Sequence, residues 1–268
     1  YDPAAFLPVL PDFAATFAAL QPKYDPAAFL PVLPDFAAMI AALRPTFDAA
    51  DFGAEFARLA TRTRPRNLRA AVDLDFEAVA AIMIEEGLPF FLVPDAGTAQ
   101  QLVEADTSKD RRAILVSRST EILAACSSVL SLCVKDDLPF HGAALSEAIT
   151  AYEAGFFRSA QAMASSVLDS VLREYESITH RDYVVGRKSL KGGIKGASYV
   201  ETLRLRPWFA LLPLEKVHSK DERPNPPQVA FSRNGTAHRV TPEQFTRANS
   251  VHALMVAASI IGFAQGLW

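Results

Sequence analysis

The sequence has little cysteine and no excess of charge of one sign. Cys126 and Cys133 are the only two cysteines among 268 residues, which excludes a disulfide framework and a zinc site built from several thiolates. The formal net charge is -3, so the chain is not one of the strongly basic proteins that bind nucleic acid through their overall charge. Both cysteines are predicted to be buried thiols in a reducing compartment.

Long hydrophobic runs and metal-ligand patterns are also scarce. The most apolar stretch, 251–268, contains His252, Ser259 and Gln265 and falls short of a bilayer span, which favours a buried helix over a membrane anchor. No signal peptide is recognised, and we therefore expect a cytoplasmic protein that does not act at a membrane. No histidine has a glutamate or histidine at metal-ligand spacing, so no metal or cofactor is predicted.

Half of the residues are apolar, which is enough for a substantial core, and the first 46 residues form a tandem repeat. YDPAAFLPVLPDFAATFAALQPK (1–23) is followed at once by YDPAAFLPVLPDFAAMIAALRPT (24–46). Each copy predicts a short amphipathic helix that must dock on the main domain, on its sister copy or on another chain. Two near-identical copies suit equivalent grooves in an oligomer, but a recent duplication or a cloning artefact explains them as well.

Helix signals dominate the remaining sequence and predict an all-α protein. The sequence TPEQ (241–244) has the pattern of a capping box with Pro242 in the first helical position, and it predicts a closing helix over 242–265. Periodicity and capping residues predict further helices over 75–86, 96–104, 109–134, 141–153, 156–177 and 199–212.

Periodicity breaks down in VVGRKSLKGGIKGAS (184–198), where glycines separate Arg187, Lys188, Lys191 and Lys195. This composition predicts a flexible basic loop. The order of its residues differs from that of a phosphate-binding P-loop. Contact with an RNA backbone and simple solvent exposure are both open interpretations of the loop.

The sequence FSRNGTAHRV (231–240) brings together residues that suit phosphodiester cleavage. Arg233 is permanently charged and matches phosphate oxygens, while a histidine such as His238 can accept and return a proton near neutral pH. These groups, with Asn234 to orient the substrate or the imidazole, meet the needs of an attack by an RNA 2'-hydroxyl on the adjacent phosphate. The alternative is a polar trio that only stabilises a turn.

The RNGTAH sequence resembles the Arg-x4-6-His signature of the HEPN superfamily, and the similarity extends from about His141 to Phe263. The resemblance implies an all-α domain, many members of which are metal-independent endoribonucleases in toxin, abortive-infection and antiviral defence systems. It also implies a homodimer in which two motifs face one cleft. Arg233 would then stabilise the phosphate charge, His238 would act as general acid or base, and Asn234 would assist orientation.

These inferences predict three regions: a repeated helical arm (1–46), an α-helical N-terminal region (47–140) and a HEPN-like helical domain (141–268). The predicted function is a dimeric, metal-independent RNA endonuclease of a bacterial toxin or phage-defence type, with an antitoxin or another system protein as a further partner. The first alternative is a non-catalytic HEPN-like protein that assembles through its repeated helices. The second is a nucleotide-binding sensor that uses Arg233 and the basic loop.

Overall fold

A computed structural model describes residues 64–135, 137–175, 205–218, 230–238 and 240–267. All regular secondary structure in these ranges is helical, as the sequence predicts. A 3-10 turn at Arg66–Leu68 precedes nine α-helices. We number them α1 (Phe76–Glu86), α2 (Ala96–Glu104), α3 (Ser108–Ser117), α4 (Ser119–Leu130), α5 (Leu138–Glu153), α6 (Phe157–Tyr175), α7 (Leu205–Val217), α8 (Arg233–His238) and α9 (Arg247–Gln265).

The first two helices occupy the ranges that the sequence predicts and begin at aspartate caps. The side chain of Asp75 accepts hydrogen bonds from the backbone of Glu77 and Ala78, and α1 ends at Gly87 in the left-handed conformation. Asp95 caps α2 in the same way. Local sequence is sufficient to determine both helices because each cap lies within a few residues of the groups it satisfies.

The closing helix α9 is the centre of the bundle. Its residues from Ala248 to Gly262 are buried without interruption, and it packs against α3, α4, α5, α6 and α7. By length and composition α9 is one helix able to cross a membrane, but 83% of its apolar window is buried inside the protein. A helix that is apolar on all sides is expected when other helices surround it.

The predicted helix over 109–134 is wrong, because the chain bends by 73° between α3 and α4. Arg118 lies at the bend and has left the helical conformation, with φ of -101° and ψ of 16°. Its guanidinium donates to the side chains of Gln101 in α2 and Glu121 in α4. Hydroxyl residues flank the bend, and their side chains compete with the helical hydrogen bonds of the backbone.

A tight hairpin joins α5 and α6, and it confirms the predicted break at Gly155. Gly155 has a φ of 91°, a value that residues with a Cβ rarely adopt. The two helices pack against each other along their length. Tyr152, Ala160 and Ala164 are among the buried residues of this pair, and the small side chains allow the two backbones to approach closely.

The predicted start of the closing helix at Pro242 is wrong by five residues, since α9 begins at Arg247. The backbone N–H of Gln244 does donate to Thr241 Oγ1, at 3.3 Å, but only a turn forms there. Thr246 is the N-cap of α9 and accepts from the N–H of Asn249 at 3.2 Å. Tertiary hydrogen bonds of the Gln244 side chain take the place of the reciprocal bond of a capping box.

The repeated arm and the part of the second region before residue 64 lie outside the described residues, as does the predicted basic loop. Among the described residues, α4, which precedes residue 140, contacts both α5 and α9. A domain boundary at residue 140 stays a prediction.

Candidate functional site

The RNGTAH sequence folds as one short helix, α8. Ser232 caps the helix, with its Oγ accepting from the N–H of Gly235 at 3.0 Å. The N–H of Thr236 donates to the Ser232 carbonyl at 2.9 Å. The six-residue length means that most of the backbone groups are end groups, so side chains from other elements must hold α8 in place.

The side chain of Gln244 binds the backbone at the start of α8. Its Oε1 accepts from the N–H of Ser232 at 2.7 Å, and its Nε2 donates to the carbonyl of Ala230 at 2.9 Å. Gly235 lies directly on this side chain, because a Cβ at Gly235 would be 3.3 Å from Cδ of Gln244. The glycine therefore serves a close approach between two segments, and a larger residue would push α8 away from its support.

Gln161 of α6 holds the middle of α8. This fully buried side chain donates through Nε2 to Thr236 Oγ1 at 2.8 Å and to the Gln244 carbonyl at 3.1 Å. The Gln244 carbonyl also accepts from Asn249 Nδ2 at 2.7 Å. Buried hydrogen bonds thus join α6 to α8 and to the turn before α9, which lie 75 and 83 residues later in the chain, and each bond is costly to leave unmade.

Arg233 is anchored to α6 by an ion pair. Its Nη2 lies 2.9 Å from Asp169 Oδ2, and its side chain is only 20% exposed. The same Asp169 oxygen accepts from Nε of Arg173, one turn later in α6, at 2.8 Å. One carboxylate therefore serves two guanidinium groups, so a net positive charge remains at this end of α8.

Asn234 faces the end of α7. Its Nδ2 donates to the carbonyl of His218 at 3.0 Å, so the side chain helps to join α7 to α8. His218 itself is buried at the end of α7, and its Nδ1 donates to the Leu214 carbonyl at 3.2 Å. The apolar sequence of α7 draws the end of this helix into the core.

Burial keeps two histidines near the motif uncharged. Desolvation, with a smaller contribution from the positive charge of Arg233, lowers the pKa of His218 to about 4. Desolvation also lowers the pKa of His252 to about 4, and this ring packs against Phe231 with centroids 5.3 Å apart. Nε2 of His252 donates to the Gly87 carbonyl at 2.7 Å. Both imidazoles are structural members of the core at neutral pH.

His238, the last residue of α8, is exposed. It is five residues from Arg233, and at 3.6 residues per turn two such positions point about 140° apart around a helix. One copy of α8 therefore directs the guanidinium towards α6 and the imidazole towards solvent. The structure brings Arg233 and Asn234 together, with Nη1 and Oδ1 3.4 Å apart, and leaves His238 accessible to another molecule.

Sequence reasoning missed the residues that hold the motif in place, above all Asp169, Gln161 and Gln244. A carboxylate partner for Arg233 and amides beneath α8 leave no signal in local spacing, because they lie on other elements. The predicted RNA-binding residues Arg187, Lys188, Lys191 and Lys195 are outside the described residues. The described residues contain no group of three or more His, Cys, Asp or Glu with metal-binding geometry.

Comparison with protein family models, with curated proteins and with solved structures finds no match to this chain.

Proposed function

We propose that the protein is a metal-independent RNA endonuclease of the HEPN type, with Arg233, Asn234 and His238 as its active-site residues. The observation that carries the proposal is that the first and last residues of α8 differ in how they are held. Arg233 is held at a defined position by Asp169, whereas His238 is exposed at the other end of the same short helix. A fixed cation and an accessible imidazole are the two groups that cleavage through the 2'-hydroxyl requires.

The proposed enzyme acts as a homodimer. Because Arg233 and His238 point to different sides of α8, one subunit alone does not present both groups to the same phosphate. A second copy across a two-fold axis supplies the missing group, and the same surface meets itself in such an arrangement. His238 then accepts the proton of the 2'-hydroxyl as its oxygen attacks the phosphorus, and the protonated imidazole returns a proton to the 5'-oxygen that leaves. The products are a 2',3'-cyclic phosphate and a free 5'-hydroxyl. Arg233 stabilises charge on the phosphate and Asn234 orients it.

A toxin or phage-defence role, with an antitoxin or another system protein as partner and a cytoplasmic location, belongs to the same proposal. It is supported by the resemblance of RNGTAH to the HEPN signature and by the two buried, free cysteines, which suit a reducing compartment. The nucleotide-sensor alternative relies on the basic loop, which lies outside the described residues.

A second candidate function is an interaction protein in which the motif is only a structural connection. The contacts of Arg233 with Asp169, of Asn234 with the His218 carbonyl and of Thr236 with Gln161 favour it. These contacts join α8 to α6 and α7 without any substrate. The exposed His238 is what separates the two candidates, because it makes no such connection in the described part of the chain.

The test compares RNA cleavage by the parent protein and by His238→Ala in the presence of EDTA. We expect the parent to cleave and the variant to lose about 100-fold to 10,000-fold in rate, the range typical of a missing general acid or base. Size and melting temperature of the dimer should not change. Glu243→Gln is the matched control, since Glu243 is an exposed residue of the turn after α8, and it should cleave as the parent does.

Two results would contradict the nuclease proposal. One is equal cleavage by the parent and by His238→Ala, which would assign the activity to other residues. The other is a well-folded parent dimer that leaves total RNA intact, which would favour the interaction protein.

A further inference from the structure

Two arginines from different helices meet on one aromatic ring at the start of α6. The guanidinium carbon of Arg158 lies 5.1 Å from the ring centroid of Phe157, and that of Arg247 lies 5.8 Å from the same centroid. Ser250 Oγ donates to the Phe157 carbonyl at 2.8 Å, and this bond joins the start of α9 to the start of α6. Both arginines are exposed, so their free faces are open to a ligand.

The charges of these two arginines are not neutralised within the described ranges. Some arginines of the structure are paired with carboxylates, as Arg111 is with Glu86 and Arg233 with Asp169. Arg158 and Arg247 form no such ion pair with any residue that the structure describes. Two like charges gathered on one ring repel each other, and an anion between them would remove that repulsion.

The stability of α6 and α9 does not explain why arginines occupy the first turns of these helices. Arg158 is the second residue of α6 and Arg247 is the first residue of α9, and neither helix has an acidic residue in its first turn. The positive end of the helix dipole disfavours cations at these positions. The contacts with the Phe157 ring offset part of this cost, but they give no reason for placing two cations there.

An exposed aromatic ring lies beside the arginines. Phe156 follows the turn at Gly155 and is 66% exposed. A single exposed phenylalanine is common on protein surfaces. Next to two guanidinium groups that have no carboxylate partner among the described residues, however, it completes the pair of features that binds single-stranded nucleic acid: positive charge for the phosphate and a flat ring for the base.

The contacts of α8 with α6 show in which direction α8 runs along that helix. Arg233 at the start of α8 contacts Asp169, and Thr236 contacts Gln161, which is two turns nearer the start of α6. From these two contacts we infer that α8 runs antiparallel to α6, so that its last residue, His238, lies towards the end of α6 that carries Phe157.

We propose that Phe156, Phe157, Arg158 and Arg247 bind one nucleotide of a single-stranded RNA substrate close to His238. The guanidinium groups hold the phosphate and the Phe156 ring stacks on the base. This inference rests on the proposed nuclease function and defines its substrate as single-stranded. An RNA strand fits better than a free nucleotide because the arginines and Phe156 are exposed, whereas sites for small molecules are concave and enclose most of the ligand.

The test measures the affinity of the full chain for a fluorescent single-stranded oligoribonucleotide by anisotropy, at several salt concentrations. All proteins carry His238→Ala, so the RNA is not cut. Arg158→Gln with Arg247→Gln should weaken binding about 10-fold or more and lower the salt dependence by about one to two released ions. Phe156→Ser should weaken binding about 10-fold without changing the salt dependence, because stacking releases no ions.

Two matched variants control for general surface effects. Phe140 is 74% exposed and lies before His141, which contacts Glu174 at the far end of α6, so Phe140→Ser should bind RNA as the parent does. Arg69 is an exposed arginine next to the 3-10 turn, which packs on α2, and Arg69→Gln should also bind normally. All variants should keep the parent melting temperature.

The outcome separates this inference from the nuclease proposal. Equal affinity of the double arginine variant and Arg69→Gln would overturn the subsite, even if the parent cleaves RNA. If a nucleoside monophosphate or inorganic phosphate competes with the oligoribonucleotide as tightly as unlabelled RNA does, the arginines bind a small anion. That result would contradict the proposal of an RNA strand as the ligand. If the parent protein does not cleave RNA but the variants bind RNA as expected, the result supports the nucleotide subsite and contradicts the nuclease proposal.

Discussion

The two halves of α8 differ in what holds them. Arg233, Asn234 and Thr236 are bound to α6 and α7 through an ion pair and hydrogen bonds, and Gly235 rests on Gln244. His238, by contrast, is exposed. The same six residues thus serve two physical purposes: the first four attach the helix to the bundle, and the last presents an imidazole to solvent.

A short motif is interpreted incorrectly when all its polar residues are given one role. The contacts of the attached half hold α8 on the bundle and satisfy most of its buried polar groups. Folding does not explain the exposed half, and that half is therefore where function has to be tested. Three measurements of unfolding free energy test the difference between the two halves.

Lowering the pH should have the largest effect on the free energy of unfolding, because two neutral histidines lie beside the attached half of α8. The pKa values of His218 and His252 are lowered to about 4 by burial, below the value of 6.5 in an unfolded chain. The unfolded state therefore binds more protons, and stability present above pH 6.5 is lost as pH falls towards 4. Between pH 7.5 and 5 we expect a loss on the order of 3 to 4 kcal/mol in urea unfolding.

His252→Gln tests the origin of that loss. Glutamine keeps a donor for the Gly87 carbonyl but does not titrate, so the decline with acid should be shallower by about half. A variant that declines as steeply as the parent would show that His252 does not contribute.

Replacing Gln161 should cause the second largest change in the free energy of unfolding. Gln161→Leu has a similar size but leaves Thr236 Oγ1 without its buried donor and removes one of the two donors to the Gln244 carbonyl, and we expect a loss of about 2 kcal/mol. The control is Ser166→Ala on the same helix, where the exposed hydroxyl bonds only the Ala162 carbonyl. If both variants unfold at the same urea concentration, the attached half does not depend on Gln161.

Replacing His238 should have the smallest effect. His238→Gln removes an exposed side chain that contributes no described contact, so the unfolding free energy should change by no more than about 0.5 kcal/mol. Thermal or urea unfolding checks this directly. A loss above about 1 kcal/mol would mean that His238 also supports the fold, and the two halves of α8 would no longer differ.

How far the sequence predicts the structure depends on the range of the contacts that decide each feature. The ends of α1 and α2 were predictable, because Asp75, Asp95 and Gly87 act on groups within a few residues. The start of α9 was not, since the amide of Gln244 bonds Ser232 and Ala230, more than ten residues away. The bend at Arg118 likewise depends on Gln101, which belongs to another helix.

The candidate site follows the same rule. The residue types of RNGTAH, and their place on a short helix, could be predicted from the sequence. The ion pair with Asp169 could not, because α6 and α8 are separated by more than fifty residues of chain. The burial of His218 also depends on tertiary packing, which a local pattern of charged neighbours does not reveal.

The two thiols have a practical consequence for labelling. Cys126 and Cys133 are buried, and desolvation raises their pKa values to about 12 and about 11. Thiolates are the species that react with maleimides, so the native protein is nearly inert to such reagents at neutral pH. A cysteine introduced in place of Phe156 would therefore accept a fluorophore selectively, without prior removal of either natural cysteine.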